Sequence, residues 1–373
     1  MKKSRLLAGF VLLAGIMLSV TGCREKTYKL ALVTDVGTIN DKSFNQGAWE
    51  GLEKYAKDKK MTYQYYQPKQ QTTNDYVESA KVAIENGAEV VVTPGYLFEN
   101  AIWQLQTEHP DVKFILLDGS PHNVIDWDTM ATLDGEDPNY DIKDNVYSIF
   151  YAEEEAGFYA GYASVKEGMR DLGFMGGMAV PAVVRFGMGY IEGAKYAANE
   201  LELDDGAVTM KYTYLNSFIP DAAHQTKAAA WYGTGTEVIF AAAGGAGGSV
   251  MKAAEEKQNK WVIGVDVDQR AESRTVLTSA IKSLGSSVYQ TLDKIYKDGV
   301  KGGTSETLDS TVGGVGLPAK SDADFDRFQN FNKAQYDAVY ELVKNGTITV
   351  YDDVEDPDYV ALGGAKVVVT VEK

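Results

Sequence analysis

Cysteine and histidine are scarce in this chain of 373 residues, and their scarcity excludes several kinds of chemistry. The one cysteine, Cys23, has no partner for a disulfide within the chain, so the fold must rest on burial of apolar side chains. The three histidines, His109, His122 and His224, are far apart and none belongs to a motif at the end of a strand. A G-x-S-x-G motif is also missing. We therefore expect a protein that is not an enzyme.

Long apolar runs are missing as well, except near the beginning of the sequence. Lys2, Lys3 and Arg5 form a positive segment, and residues 6–18 form an apolar segment too short to remain as a membrane-spanning helix. Residues 20–23 then read V-T-G-C, the pattern of a bacterial lipobox. An ordinary signal peptide with an incidental cysteine is the alternative, and the position of the only cysteine disfavours it.

The lipobox predicts a lipoprotein signal peptide over residues 1–22 and a diacylglycerol on Cys23. Two acyl chains anchor a protein far more firmly than one. We therefore expect a mature protein that is lipid-anchored on the extracytoplasmic face of the cell membrane.

Positive charge is in short supply too. The formal net charge is −17 at pH 7, and loss of Lys2, Lys3 and Arg5 with the signal peptide makes it −20. A surface of this sign repels phosphate backbones, so we expect no nucleic-acid partner. The sequence also has no internal repeat and no proline-rich linker, so its parts should form one closing unit.

Residues 30–51 predict a strand, a polar loop and a helix. Leu30–Val33 is an unbroken apolar run, typical of a strand that is buried on both faces. Ser43 and Gln46 have the S-x-x-Q spacing of a capping box at the start of a helix. Asp35 falls where the strand ends, which is where open parallel sheets bind ligands.

Strands and helices continue to alternate along the chain in two series, which predicts an α/β fold with parallel sheets in two Rossmann-like lobes. A strand at residues 276–279 and the helix after Lys282 are predicted to return to the first lobe. Residues 321–345 are predicted to form one long helix in the second. The N-terminal lobe then comprises residues 28–148 and about 277–305. The C-terminal lobe comprises residues 149–276 and about 306–373.

Three motifs, in this order, resemble those of one known family. They are T-D-x-G-x-x-x-D-x-S-F-N at residues 34–45, AAGGAGG at 242–248, and VIGVDVDQ at 262–269 followed by LTSAIK at 277–282. The chain is similar to the basic membrane protein (Bmp/PnrA-like) family of nucleoside-binding lipoproteins. The resemblance implies a periplasmic-binding-protein type I fold, with two lobes joined by a hinge, and a partnership with ABC permease and ATPase subunits. We expect a monomer.

Asp35, Asp118 and Asp266 each follow an apolar strand. An aspartate in that place is most often a turn former or a cap, but three at one topological position predict a crevice lined by carboxylates. Ionised carboxylates accept short hydrogen bonds from hydroxyl groups, and a ribose offers two adjacent ones. The resemblance implies that Asp266 holds the sugar, and Asp268 either shares that task or acts as a cap. The D-x-D spacing does not predict a metal site, because no further acidic cluster lies nearby.

A lysine that opens a helix, as Lys282 does, is usually a solvated surface residue, but the resemblance implies that it reaches the cleft beside Asp266. Phe44 and Phe186 are either core residues or a pair of rings, one from each lobe, that stack on a flat base when the cleft closes. Asn45 offers a donor and an acceptor, which suits a purine edge. Tyr96 and Phe218 are less favoured candidates for stacking.

The glycine-rich residues 244–248 lack the G-K-[ST] ending of a phosphate loop. They predict a helix entry where the backbone approaches a ligand closely, with Gly244 at a ribose oxygen. We therefore predict that the protein binds a purine nucleoside (guanosine, inosine or adenosine) without cofactor or metal. Two alternatives remain: the same fold binding a simple sugar or another small polar metabolite, and a surface interaction lipoprotein without a transport role.

Overall fold

The computed structural model describes residues 27–35, 37–126, 129–355 and 357–372. The predicted signal peptide and the lipidation site at Cys23 lie outside these residues, so both remain predictions. In the described part of the chain, no helix combines the length and the apolar character needed to span a bilayer.

Strands and helices alternate through both halves of the described chain. The strands are β1 Leu30–Val33, β2 Tyr63–Tyr66, β3 Val90–Pro94, β4 Lys113–Leu117, β5 Val124–Asp126, β6 Ala131–Thr132, β7 Val146–Tyr151, β8 Asp171–Gly176, β9 Val208–Tyr214, β10 Val238–Phe240, β11 Trp261–Asp266, β12 Val276–Lys282, β13 Thr304–Leu308, β14 Val315–Gly316 and β15 Val367–Val371. The helices are α1 Phe44–Lys59, α2 Thr73–Glu85, α3 Glu99–Glu108, α4 Glu153–Glu167, α5 Pro181–Glu200, α6 Ala222–Gly233, α7 Gly247–Glu255, α8 Leu284–Asp293, α9 Lys333–Lys344 and α10 Tyr359–Gly363.

Two large sheets form the centres of two lobes. The first sheet has the order β13-β7-β4-β3-β1-β2, and all its neighbouring strands are parallel. The second has the order β14-β12-β11-β10-β8-β9-β15, and only the pair of β12 and β14 is antiparallel. The inner strands β1 and β3 are buried along their whole length, as expected of parallel strands covered on both faces. The predicted α/β fold with two parallel-sheet lobes is confirmed.

The chain crosses between the lobes three times within the described residues. It crosses after β7, after β12 and after β13. We predicted that the chain returns to the first lobe from about residue 277, and this is wrong for the strand: β12 pairs with β11 in the second sheet. The return begins with α8, which packs on α1. The predicted boundaries at residues 148 and about 305 fall inside β7 and β13, two strands of the first sheet.

Helix α1 begins differently from the predicted capping box. Ser43 is the N-cap residue, but its side chain caps no backbone group. The carboxylate of Asp41 does so instead, because it accepts hydrogen bonds from the backbone N–H groups of Ser43, Asn45 and Gln46 at 2.9–3.0 Å. A carboxylate at this end of a helix is also favoured by the helix dipole. The hydroxyl of Ser43 is therefore left for another partner.

The predicted helix over residues 321–345 is broken in two. A short 3₁₀ turn, Asp322–Phe325, begins at a capping box on Ser321, and α9 begins at a second capping box on Asn332. Each box satisfies backbone N–H groups that the start of a helix leaves unpaired, so the segment carries two starts and not one.

Helices α4 and α5 pack backbone against backbone. A Cβ atom on Gly189 of α5 would clash with the carbonyl group of Glu154, and one on Gly157 of α4 would clash with that of Phe186. Only glycine allows so close an approach. The contact brings Glu153, the first residue of α4, next to Arg185 in α5.

Candidate functional site

A cavity of about 500 Å³ lies between the two lobes, at the carboxyl ends of their strands. This volume is in the usual range for sites that hold small molecules. The structure brings all eight predicted site residues to the wall of this cavity: Asp35, Phe44, Asn45 and Asp118 from the first lobe, and Phe186, Gly244, Asp266 and Lys282 from the second.

In the wall from the first lobe, Asn45 and Asp35 are locked together. The Asn45 amide donates to Oδ1 of Asp35 and to Oδ2 of Asp41, each at 2.9 Å, and its oxygen accepts from the backbone N–H of Asp35 at 3.3 Å. Asp35 Oδ1 also accepts from the backbone of Gly37 at 2.6 Å. These bonds orient Asp35, and a contact between the Asn45 amide and a ligand stays a prediction. The second oxygen, Oδ2, of Asp35 makes no hydrogen bond to a described residue.

Lys282 lies at the centre of a buried ion cluster. Its side chain is 2 % exposed, and its Nζ lies 2.5 Å from Asp118 Oδ2, 2.9 Å from Glu153 Oε1 and 3.8 Å from Asp266 Oδ1. Asp118 belongs to the first lobe and the other three residues to the second, so the lysine joins the lobes at the cavity. The resemblance implied a cleft lysine beside Asp266, and the structure has it there.

Burial and charge oppose each other in this cluster. Burial raises the pKa of Asp118 and of Asp266, and Lys282 only partly offsets this. Burial alone would raise the pKa of Glu153 as well. Two cations, Lys282 and Arg185, outweigh this effect and hold that pKa below its ordinary value. The surrounding carboxylates outweigh the burial of Lys282 and raise its pKa, so the lysine is charged at neutral pH.

Sequence reasoning missed two members of the cluster, Glu153 and Arg185. Arg185 lines the cavity, and its Nε donates to Glu153 Oε2 at 2.6 Å. Glu153 is fully buried, and its carboxylate bridges two cations, Arg185 and Lys282. The only signal for them was a run of three acids at the start of α4 and an arginine directly before Phe186, which are both ordinary for helix surfaces.

The backbone is strained at two of the carboxylates. Asp118 and Asp266 have φ values of 53° and 66°, in the left-handed region. That conformation costs most residues other than glycine roughly 1–2 kcal/mol, and aspartate adopts it more readily than most because its side chain can hydrogen-bond locally. Such strain is concentrated at functional sites, and here it sits at the ends of β4 and β11, where both side chains line the cavity. Oδ1 of Asp118 is buried and has no hydrogen-bond partner among the described residues.

Two aromatic rings, one from each lobe, flank the same cation. Lys282 Nζ lies 4.8 Å from the ring centre of Phe44 and 5.3 Å from that of Phe186. The two ring centres are therefore no more than about 10 Å apart, whereas the rings of one stacked pair are 4.5–7 Å apart. Both rings line the cavity.

Of the less favoured candidates, two line the cavity and one does not. Tyr96 and Phe218 line the cavity, and the ring of Phe218 lies over Gly244, whose φ of 53° suits glycine. Asp268 does not belong to the residues described around this cavity. Its carboxylate accepts from the backbone N–H of Arg270 and pairs with that side chain, so it acts as a local cap.

The lobes also touch beside the cavity. The Gln269 side chain of the second lobe donates to the carbonyl oxygen of Lys42 at 2.7 Å. Lys42 Nζ also lies 3.6 Å from Glu272 Oε1 of the second lobe. Through these contacts the two lobes engage each other directly.

Comparison with known proteins gives a consistent assignment. A family model described as ABC transporter substrate-binding protein PnrA-like (Bmp) matches residues 28–353. The chain is 32% identical over 352 residues to the ABC transporter nucleoside-binding protein BmpA of Lactococcus lactis subsp. cremoris, covering 85% of this chain and 92% of that protein. It is 28% identical over 308 residues to basic membrane protein B of Borreliella burgdorferi, covering 81% and 84%.

Solved structures share the fold. A solute-binding protein of an ABC transporter system from Aeropyrum pernix K1 superposes with a TM-score of 0.70 at 20% identity, covering 90% of this chain and 96% of that one. A second, from Conexibacter woesei, gives a TM-score of 0.65 at 21% identity, covering 87% and 99%. The predicted periplasmic-binding-protein type I fold and the family resemblance are both confirmed. The chain belongs to the PnrA-like (Bmp) family of ABC transporter substrate-binding proteins.

Proposed function

We propose that this protein binds purine nucleosides such as guanosine, inosine or adenosine in the cavity between its lobes and delivers them to an ABC importer. One observation carries the proposal: aromatic rings and carboxylates from both lobes converge on a single cavity of about 500 Å³. The name of the Lactococcus lactis relative, a nucleoside-binding protein, supports the same ligand class.

The base would stack between Phe44 and Phe186, with Oδ2 of Asp35 as an acceptor for an N–H group on its edge. Base–aromatic stacking contributes roughly 1–3 kcal/mol per base. The ribose hydroxyls would donate to Asp266 and to Oδ1 of Asp118, which has no hydrogen-bond partner among the described residues. The backbone of Gly244 would approach a ribose oxygen. Because each cation of the cavity already faces carboxylates, an uncharged ligand fits best.

Binding would proceed by closure of the lobes about the three crossings. Each lobe supplies one ring and at least one carboxylate, so a ligand satisfies both halves only when the lobes come together. Closure removes the ligand from water, and the closed form would dock on the permease. Opening would then release the nucleoside.

The rest of the proposal concerns the setting. We propose that Cys23 carries the lipid and holds a monomer on the extracytoplasmic face of the membrane, and that the protein has no enzymatic activity of its own. Mass spectrometry of the intact protein from membranes tests the anchor, because a diacylated N-terminal residue adds a defined mass. A protein that begins at Met1 or carries no lipid would contradict it.

Isothermal titration calorimetry tests the ligand class. The protein is unfolded, dialysed and refolded to remove any bound ligand, and is then titrated with purine nucleosides, pyrimidine nucleosides and simple sugars. We expect heat from purine nucleosides with micromolar or tighter dissociation constants. Binding of a simple sugar alone would favour the alternative in which the same fold binds a sugar. Absence of any small-molecule binding would favour a surface interaction protein. Mass spectrometry of the ligand that co-purifies gives an independent check.

A further inference from the structure

Arg185 has more hydrogen-bond donors than the protein uses. A guanidinium group carries five N–H donors. Among the residues that the structure describes, only Nε has a hydrogen-bond partner, Glu153 Oε2 at 2.6 Å, and Glu154 Oε2 lies farther from it at 3.8 Å. The terminal Nη1 and Nη2 groups make no hydrogen bond to any residue within the described ranges, although the side chain is only 17 % exposed. Because Arg185 lines the cavity, these unused donors are available to a ligand.

The ion cluster shows which end of the cavity Arg185 serves. The Glu153 carboxylate contacts Arg185 through one oxygen and Lys282 through the other, and Lys282 in turn contacts Asp118. Arg185 therefore lies at the end where Asp118 and Asp266 are. Asp35 and Asn45 are held together by their own hydrogen bonds and make none to Arg185 or Glu153.

Carboxylates and a guanidinium group complement each other toward a sugar. A hydroxyl group is both a donor and an acceptor, and carboxylates can satisfy only its donor side. The acceptor side needs an N–H group. Arg185 supplies it without adding a free charge to the cavity, because Glu153 already faces its guanidinium group.

We propose that Arg185 contacts the ligand directly, donating a hydrogen bond from Nη1 or Nη2 to one sugar hydroxyl oxygen, and that it thereby selects for ligands that carry this hydroxyl. The inference rests on the proposed nucleoside function and adds a specificity-determining residue to it. A hydrogen bond from a charged donor is worth about a 10- to 100-fold change in affinity.

The experiment is a double-mutant cycle in which one change is made in the protein and the other is the removal of one hydroxyl group from the ligand. Dissociation constants of inosine, 2′-deoxyinosine, 3′-deoxyinosine and 5′-deoxyinosine are measured by calorimetry for the wild type and for Arg185→Lys. The lysine keeps a positive charge beside Glu153 but loses the guanidinium fork. Arg274→Lys, the same change at an exposed position, serves as the matched control.

We expect Arg185→Lys to bind inosine roughly 10- to 100-fold more weakly than the wild type does. One deoxy analogue should bind both proteins equally, because the hydroxyl that Arg185 contacts is missing from it. An equal loss for all four ligands would mean a structural role only and would overturn the proposal. Unchanged affinities in Arg185→Lys would also overturn it. So would a loss of affinity in Arg185→Lys that differs between inosine and adenosine, because that result would place Arg185 at the base.

Two further outcomes are informative. If inosine 5′-monophosphate binds more tightly than inosine and Arg185→Lys abolishes the difference, the arginine serves a phosphate and not a neutral hydroxyl, and the proposal fails. If the wild type binds none of the four nucleosides, the proposed function itself fails, a result that is distinct from a failure of the role of Arg185. Thermal unfolding of each variant without ligand checks that it is folded.

Discussion

The hydroxyl of Ser43 in the first lobe donates a hydrogen bond of 2.5 Å to Oδ2 of Asp266 in the second. Ser43 opens α1 and Asp266 ends β11, so the bond spans the two lobes beside the cavity. It is possible because Asp41, and not Ser43, caps the helix. The bond engages one oxygen of Asp266, and the other, Oδ1, lies 3.8 Å from Lys282 Nζ.

Replacement of Ser43 by alanine should weaken ligand binding. The variant loses a hydrogen bond to a charged group that exists only while the lobes are together, a contribution of about 1.5–3 kcal/mol. We expect the dissociation constant for inosine to rise roughly tenfold or more in calorimetry. Ser305→Ala removes an exposed hydroxyl of β13 and should leave the constant unchanged. A wild-type constant for Ser43→Ala would show that the bond does not contribute to closure.

The role of Asp266 predicts selectivity for ribose over deoxyribose. The wild type should bind 2′-deoxynucleosides about 10- to 100-fold more weakly than ribonucleosides, because a buried carboxylate loses a hydroxyl donor. Asp266→Asn should weaken the binding of the ribonucleoside and reduce that ratio. Competition against a fluorescent nucleoside measures both constants. Equal affinities for the two sugars in the wild type would count against Asp266 as the ribose contact.

Removal of the central cation should destabilise the fold. Lys282→Met leaves Asp118, Glu153 and Asp266 without their shared partner, and loss of one side of a buried ion pair costs about 3–5 kcal/mol. Urea unfolding should show a lower midpoint. Lys301→Met breaks an exposed pair with Asp144, whose side chains are 77 % and 68 % exposed, and should leave the free energy of unfolding nearly unchanged. Similar losses for both variants would contradict the prediction.

Glu154 should make stability depend on pH. Burial, and then the charge of Glu153, raise the pKa of Glu154 to about 8, and Oε2 has no hydrogen-bond partner among the described residues. Since the folded state holds this proton more tightly than the unfolded chain, the stabilisation is present below pH 4.5 and is lost as the pH rises toward 8.

The neutral variant Glu154→Gln should lack this loss. We expect its free energy of unfolding to match that of the wild type near pH 5 and to exceed it by about 2–4 kcal/mol near pH 8. Glu85→Gln, which changes an exposed carboxyl group on α2, controls for the loss of one negative charge. If Glu154→Gln and the wild type differ by the same amount at both pH values, Glu154 does not titrate in this range.

Much of the site could be predicted from the sequence because of the way in which parallel sheets bring residues together. Asp35, Asp118 and Asp266 are far apart in the chain, yet each follows a strand, and the carboxyl ends of parallel strands meet at one edge. The three sequence motifs also contain Phe44 and Lys282. Asn45 was placed correctly at the cavity, but its hydrogen bonds to Asp35 and Asp41 follow from spatial proximity that the sequence does not express.

The errors have physical reasons. Residues 267–275 between β11 and β12 are fewer than the dozen or more that a parallel crossover usually needs, which favoured a change of sheet at that point. Glu153 was overlooked because acidic residues are common in the first turn of a helix, where the dipole favours them. Only the close packing of α4 on α5 turns that carboxylate inward, toward Arg185.

The three crossings have a consequence for the order of synthesis. Strand β13, at one edge of the first sheet, is translated only after the inner strands of the second, β8 to β12. A ribosome would therefore release most of both lobes before the earlier one could add its last strand. A cut of the gene after β7 would separate β13 and α8 from the first lobe, so the N-terminal fragment should not fold as a complete lobe.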